Sequence, residues 1–292
     1  MSRMAVKQSV APDAVLRFAR VDPEARLGMP VGRYTTPAFS TGLLSALALM
    51  AVVYGAAFPF RDTEAGATVW KYLTAFDRIP IAIAFFSCWS IAIIVIKLLK
   101  VRAQRMALRV RFAPDDPEWH ISRATAMQVV EAIEGAVEGT ERFMYLHRVT
   151  GALRSVRNVG RVGDLDEMLS SRADDDELQV DGGYVAVKGF IWAIPVLGFI
   201  GTVLGLTEAI GRFAGVLNNR NADLQSLTMQ LTQVIGGLDT AFVTTGEGLV
   251  MALIIHLMLT AARRVDDALL DECRDACARH VTGRVRVAEG VG

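Results

Sequence analysis

Four stretches of the chain break with the mixed polar and apolar pattern around them. The first, "AFSTGLLSALALMAVVYGAAFPF" (38–60), is uncharged throughout, and the second, "IPIAIAFFSCWSIAIIVIKLL" (79–99), is uncharged until Lys97. The third is "FIWAIPVLGFIGTVLGLTEAIGRF" (190–213) and the fourth is "LDTAFVTTGEGLVMALIIHLMLTAA" (238–262). At about 1.5 Å per helical residue, each is long enough to cross a hydrocarbon core of about 30 Å. The first two read as plain lipid-facing sequence. The last two carry Pro, Gly, Thr, Glu and His, which marks helices that face protein or water. The pattern predicts an all-α polytopic membrane protein with four transmembrane helices.

Outside the spans the apolar residues recur with an amphipathic period. Met127, Val130, Ile133, Val137, Phe143 and Leu146 stand at helical spacing, which predicts a helix over 122–153. A second, short helix is expected around "GDLDEMLSSRA", ahead of the acidic run Asp174–Glu177. That run reads as a solvated helix start, where negative charge is favoured. "AARRVDDALLDECRDACARHV" continues the fourth span as an amphipathic helix with Val265, Leu269, Cys273 and Cys277 along one face. No internal repeat recurs. The organisation expected is an N-terminal cytoplasmic segment (1–37), outer lipid-facing spans one and two (38–99), a helical cytoplasmic domain (100–189), spans three and four (190–262), and a C-terminal cytoplasmic helix (263–292).

Composition agrees with this picture. With 52% hydrophobic residues and a mean hydropathy of +0.34, the chain is too apolar for an ordinary soluble domain. Its 31 basic and 31 acidic side chains cancel, so there is no electrostatic case for nucleic acid. Their placement sets the orientation. Lys97, Lys100, Arg102, Arg105, Arg109 and Arg111 follow the second span, and Arg263 and Arg264 follow the fourth. The 214–237 connection offers only Arg220, and in the 61–78 connection Arg61, Lys71 and Arg78 are balanced by Asp62, Glu64 and Asp77. Both termini and the 100–189 segment are therefore expected in the cytoplasm, with Trp70, Tyr72 and Phe76 at the outer interface. The first 37 residues have no apolar core of the signal-peptide kind, so no cleaved leader is expected. Cys88, Cys273 and Cys277 read as unpaired thiols. Cys273, Cys277 and His280 lack a four-ligand pattern, and no metal site is expected.

The chemistry lies in the last two spans. On the third, Pro195, Gly198, Thr202, Gly205 and Ala209 share one face. On the fourth, the face through Thr245 also carries Ala241, Gly248, Ala252 and His256. Thr202 stands roughly 20 Å above the inner end of its span, and Thr245 roughly 10 Å below the outer end of its own. In a core of about 30 Å the two hydroxyls come out at one level. Antiparallel neighbours would present them as one polar ring. The same small residues, with Gly201–Gly205 and Gly211–Gly215 at GxxxG spacing, also suit plain helix packing; the residues alone leave both readings open.

"AIPVLGFIGTVLGL", followed some way on by "DTAFVTTGEGLVMAL", resembles the MotA/TolQ/ExbB family of ion-channel subunits. The residues that carry the likeness are Pro195, Gly198, Gly201, Thr202 and Gly205, then Ala241, Thr245 and Gly248, and the double threonine Thr244–Thr245 leans towards the MotA/PomA branch. The four-span layout is similar to the MotA/PomA branch rather than the three-span TolQ/ExbB branch. The resemblance implies a homo-oligomeric ring, five subunits in the family, in membrane lipid around a single-span MotB/ExbD/TolR-like partner. That partner supplies the ion-carrying Asp, and Thr202, Thr245 and Thr244 line the ion pathway. Pro195 would act as a hinge, and Gly198, Gly201, Gly205, Ala241 and Gly248 would serve close packing. No cofactor is implied; the transported ion is H⁺ or Na⁺. Where TolQ/ExbB members carry a Glu near the outer start of the last span, this chain has Thr240 beside Asp239. The cytoplasmic segment shows no charge motif that matches flagellar-rotor contacts.

Glu247 sits two residues past Thr245, about 200° round the helix and so off the threonine face. Three readings stand open for it: an accessory proton site, a protonated acid holding a helix–helix hydrogen bond, or the lining of a water-filled crevice. His256, nearer the inner end, is a possible accessory proton site or a hydrated structural histidine. No GxxxxGK[ST], HExxH or GxSxG pattern occurs, so no enzyme is expected. The rival to a channel is a non-conducting membrane scaffold organising partners through residues 100–189.

Overall fold

The computed structural model describes residues 16–63, 66–67, 70, 74, 78–110, 112, 119–122, 125–156, 162–218 and 224–285. The expectations on Glu64, Lys71, Tyr72, Phe76, Asp77, Arg111 and Arg220 lie outside the described residues. In chain order come β1 (Leu16–Arg17), α1 (Phe18–Val21), α2 (Pro23–Arg26), α3 (Phe39–Ala57), α4 (Arg78–Ala107), α5 (Ala126–Ala136), β2 (Val137–Glu138), α6 (Met144–Ser155), α7 (Val162–Gly182), α8 (Val185–Asn218) and α9 (Leu224–Cys277). Four of the helices are long and apolar enough to cross a membrane, as the pattern predicts. The protein is an all-α polytopic chain.

Helices α8 and α9 run past the expected spans. The 214–237 stretch, read as a connection, is helical up to Asn218 and again from Leu224. Its "LQSLTMQLTQV" is rich in Leu, Gln and Met, which favour helix and contain no breaker.

The chain divides into two units. An apolar unit takes Gly42–Ile94 and Val185–Thr260, and a polar unit takes Met1–Thr41, Val95–Tyr184 and Ala261–Gly292. In the apolar unit, Leu44, Leu47 and Val52 leave much of α3 exposed. The most apolar window of that first span is only 6% buried, whereas that of α4 is 50% buried. The second span is thus not plain lipid-facing sequence, contrary to expectation. Its Phe86 and Trp89 rings pack on Phe190 of α8 at 5.0 and 5.1 Å between centroids, and Gly42 of α3 lets that helix approach Trp89 and Ile93. Aromatic packing of this kind uses hydropathy that reads in sequence just like lipid contact.

The polar unit is built round α5, α6, α7 and the C-terminal part of α9, with Phe18, Val130, Ile133, Phe143, Leu146, Leu153, Leu165 and Leu269 in its core. Residues 122–153 do not form one helix. After α5 the backbone turns extended, and β2 pairs in parallel with β1, Leu16 opposite Val137 and Arg17 opposite Glu138. Gly139 then takes φ +81°, a left-handed conformation natural to glycine, before α6 begins. Val137 and Phe143 are buried in this broken path, so helical spacing of apolar residues was satisfied without a helix.

Two further expectations are corrected. The acidic run Asp174–Glu177 is not a helix start: it lies in the middle of the 21-residue α7, and Asp176 is buried. Lys97 and Lys100, counted among the interfacial cations, are fully buried and paired, Lys97 with Asp266 at 3.3 Å and Lys100 with Asp22 at 3.4 Å and with Glu24. Such partners offset the cost of burying a lysine. Leu269, Cys273 and Cys277 do share the buried face of the α9 tail, with Val265 packed beside them, and all three cysteines are free and buried.

Candidate functional site

Within the apolar unit α8 and α9 lie antiparallel in close contact. Small residues allow it. A Cβ on Gly198 would stand 2.8 Å from the carbonyl oxygen of Thr244, and one on Gly205 would stand 2.8 Å from that of Gly237. From the other side, a Cβ on Gly248 would come 3.0 Å from the carbonyl oxygen of Ile194, beside Pro195, and one on Gly237 would meet the methyl of Ala209 at 3.0 Å. Ala209 and Ala241 are each 2% exposed. Pro195 lies inside the continuous helix α8, where it removes one backbone donor. Gly211 and Gly215, the other GxxxG pair, meet nothing within 4 Å.

At the centre of this contact three threonines meet. The Thr202 hydroxyl bonds the carbonyl of Ala241 at 2.9 Å, and the Thr245 hydroxyl bonds the carbonyl of Gly198 at 3.0 Å. The two hydroxyls also bond each other. The Thr202 hydroxyl also lies 3.4 Å from the Gly198 carbonyl. Two hydroxyl protons therefore face four contacts, and two contacts are always without their own proton. The arrangement has more than one way to place its protons, with oxygen lone pairs left over. Thr202 and Thr245 are half-buried. Thr244 is fully buried, its hydroxyl 3.2 Å from the Ala241 carbonyl, and a Cβ on Gly201 would collide with it.

Such a cluster can bind a cation through oxygen or pass a hydrogen-bonded proton. It holds no ionisable group, so it cannot carry a charge by itself. Glu247 does not join it. Glu247 is half-buried, and its Oε2 is enclosed without a hydrogen-bond partner among the described residues. His256 is exposed on α9, and its backbone carbonyl accepts the Thr260 hydroxyl.

Sequence reasoning missed Gly237, because it fell in the stretch read as a connection. Its position four residues before Ala241 was the available signal: the small-residue stripe of the fourth span continues one turn further.

The stripe and the two threonines fall inside one matched segment. Residues 147–274 match the family model of the MotA/TolQ/ExbB proton channel family. No curated protein and no solved structure matches it. The family segment begins at His147 in α6 and ends at Arg274 in the tail of α9, so it takes in part of the polar unit as well as α8. The matched family is one of channels rather than enzymes, and the four apolar helices mark the chain as a membrane protein.

Proposed function

We propose that the chain is the ion-conducting subunit of an ion-driven motor in a bacterial inner membrane. Copies of it, five by family resemblance, surround a single-span MotB/ExbD/TolR-like partner, and ion flow past Thr202 and Thr245 is converted into rotation or other mechanical work. The four apolar helices favour the MotA/PomA branch. The observation that carries the reading is the bonded pair Thr202–Thr245, with fewer protons than contacts, on two antiparallel helices of the family segment. Thr244 sits behind the pair and Pro195 provides the hinge. Because the cluster has no acid, the ion carrier comes from the partner as an Asp. The ion is H⁺ or Na⁺, since hydroxyl and carbonyl oxygens serve either. Arg102, Arg109, Arg263 and Arg264 stay exposed, which supports a cytoplasmic position for the polar unit and both termini.

The test is ion flux in proteoliposomes holding the chain with its single-span partner. Flux that depends on the partner and is lost in Thr202→Val and Thr245→Val supports the reading. Undiminished behaviour of both valine variants, or a chain that binds its partner and never conducts, leaves a scaffold instead.

A further inference from the structure

Inside the polar unit a second polar cluster has no place in the conduit. Lys97 of α4 is fully buried, Asp266 of α9 is 2% exposed, and Tyr184, in the turn after α7, is 1% exposed. The Lys97 ammonium stands 3.3 Å from Asp266 Oδ2, 3.2 Å from the carbonyl of Val180 and 3.4 Å from the Thr35 hydroxyl. It also lies 4.0 Å over the centre of the Tyr184 ring. The Tyr184 hydroxyl donates to the same Asp266 oxygen at 2.7 Å. Two donors thus crowd Oδ2, while Asp266 Oδ1 is buried and takes no hydrogen bond among the described residues. The Thr36 hydroxyl is enclosed without a partner as well. Gly183 lies beside both groups: a Cβ there would stand 2.5 Å from the Thr36 hydroxyl and 2.9 Å from the Lys97 nitrogen.

Buried charges held only for stability are poorly explained, because apolar replacements of the same volume do as well. Buried polar atoms left unsatisfied are rare and call for a reason. Here the unsatisfied atom is the one oxygen of a lysine-paired carboxylate that is free to take a proton.

We propose that Lys97, Asp266 and Tyr184 form a proton-exchange site, at which Asp266 takes a proton from water on Oδ1 and returns it. On uptake an O–H bond of a hydronium ion breaks and one forms at Oδ1, leaving water, and the carboxylate becomes a neutral acid. Lys97 remains an ammonium, held by Val180, Thr35 and the Tyr184 ring, so the cluster passes from neutral to singly positive. Tyr184 keeps donating to Oδ2 in both states. On release the Oδ1–H bond breaks, the proton passes to a water as hydronium, and the Lys97–Asp266 ion pair is restored. The other charged groups that act on the site are Lys100 on α4, Asp181 on α7, and Arg263 and Asp267 on α9. Asp181 and Arg263 are paired with each other at the surface. The unbroken helix α9 carries both Thr245 and Asp266. Only the use of the site in transport rests on the conduit reading; the proton exchange itself does not.

Infrared difference spectra of the full chain in lipid nanodiscs, taken between mildly acidic and mildly alkaline pH, test this without measuring transport. A protonated-carboxyl band that grows towards acid is expected, absent in Asp266→Asn and retained in Glu247→Gln and Thr245→Val. Tyr184→Phe keeps the ring under Lys97 and removes the donor that favours the ionised acid, so the titration midpoint moves to higher pH. A spectrum unchanged in Asp266→Asn, or a midpoint that Tyr184→Phe leaves in place, overturns the proposal and makes the cluster a static ion pair. If the band behaves as expected while the protein never conducts, the conduit reading fails alone. If the protein conducts and Asp266 never titrates, the proton-exchange site fails alone.

Discussion

Arg148 directs two guanidinium nitrogens at a single oxygen of Asp176, Nε at 3.1 Å and a terminal nitrogen at 2.7 Å. Arg148 is 1% exposed and Asp176 8% exposed, so the bond joins α6 to α7 inside the polar unit. Asp176→Ala strands a guanidinium in that core. The loss expected is about 3–5 kcal/mol, the range for breaking one side of a buried pair. A thermal melt in detergent reads it. Removing both charges together, Arg148→Met with Asp176→Leu, recovers most of the stability, because no charge is left unpaired. A single variant that melts like the parent would mean that water reaches Arg148.

The two glycine patterns of the third span should separate in the same assay. A methyl at Gly198 meets the backbone oxygen of Thr244, which cannot swing away, and one at Gly205 meets that of Gly237. Gly198→Ala and Gly205→Ala should each cost about 1–3 kcal/mol, as overpacking does. Gly211→Ala meets open space and should stabilise the helix by up to about 1 kcal/mol. A Gly211→Ala chain that is sound alone and fails to assemble would place Gly211 against another subunit.

How far these features could be read from the residues depended on their range. The four spans, the small-residue face and the facing of Thr202 and Thr245 follow from local periodicity, and the helices carry them where the spacing puts them. The break at Gly139 was hidden, because Val137 and Phe143 satisfy helical spacing and a two-residue strand pairing at once. The pairing of Lys100 with Glu24 spans 76 residues and that of Arg148 with Asp176 spans 28, and no periodicity links them. Lys97 and Lys100, counted as interfacial charge, are residues that the fold neutralises with distant acids.

The thiols offer a check on the α9 tail. Cys273 is 1% exposed, Cys277 3% and Cys88 7%. The folded protein should resist a bulky maleimide at all three, and full labelling should follow only after denaturation. Rapid labelling of Cys273 and Cys277 alone would show that the tail leaves its core while the spans stay intact.

Glu24 organises the segment ahead of the first span. It is 1% exposed, one oxygen accepts the Ala38 N–H at 2.8 Å, and the other accepts the Gly32 N–H at 2.8 Å together with the Lys100 ammonium. A carboxylate can accept at both ends; an amide cannot. In Glu24→Gln the NH₂ group must face either the Gly32 or the Ala38 donor, and Lys100 keeps only Asp22 as an anion. Losing one charge-assisted bond of this kind costs about 2 kcal/mol, or roughly thirtyfold in a local opening equilibrium. Hydrogen exchange should therefore quicken by about that factor at the Gly32 and Ala38 amides, with little change in α5 or α6, since local opening leaves the rest of the core closed. Lys100→Met tests the other half. It keeps both backbone bonds to Glu24 but buries the acid without its cation, so exchange should quicken over the whole 22–38 stretch rather than at two amides. Equal protection in both variants would mean that the segment is held by the packing of Phe18 and Tyr34 and that Glu24 is incidental.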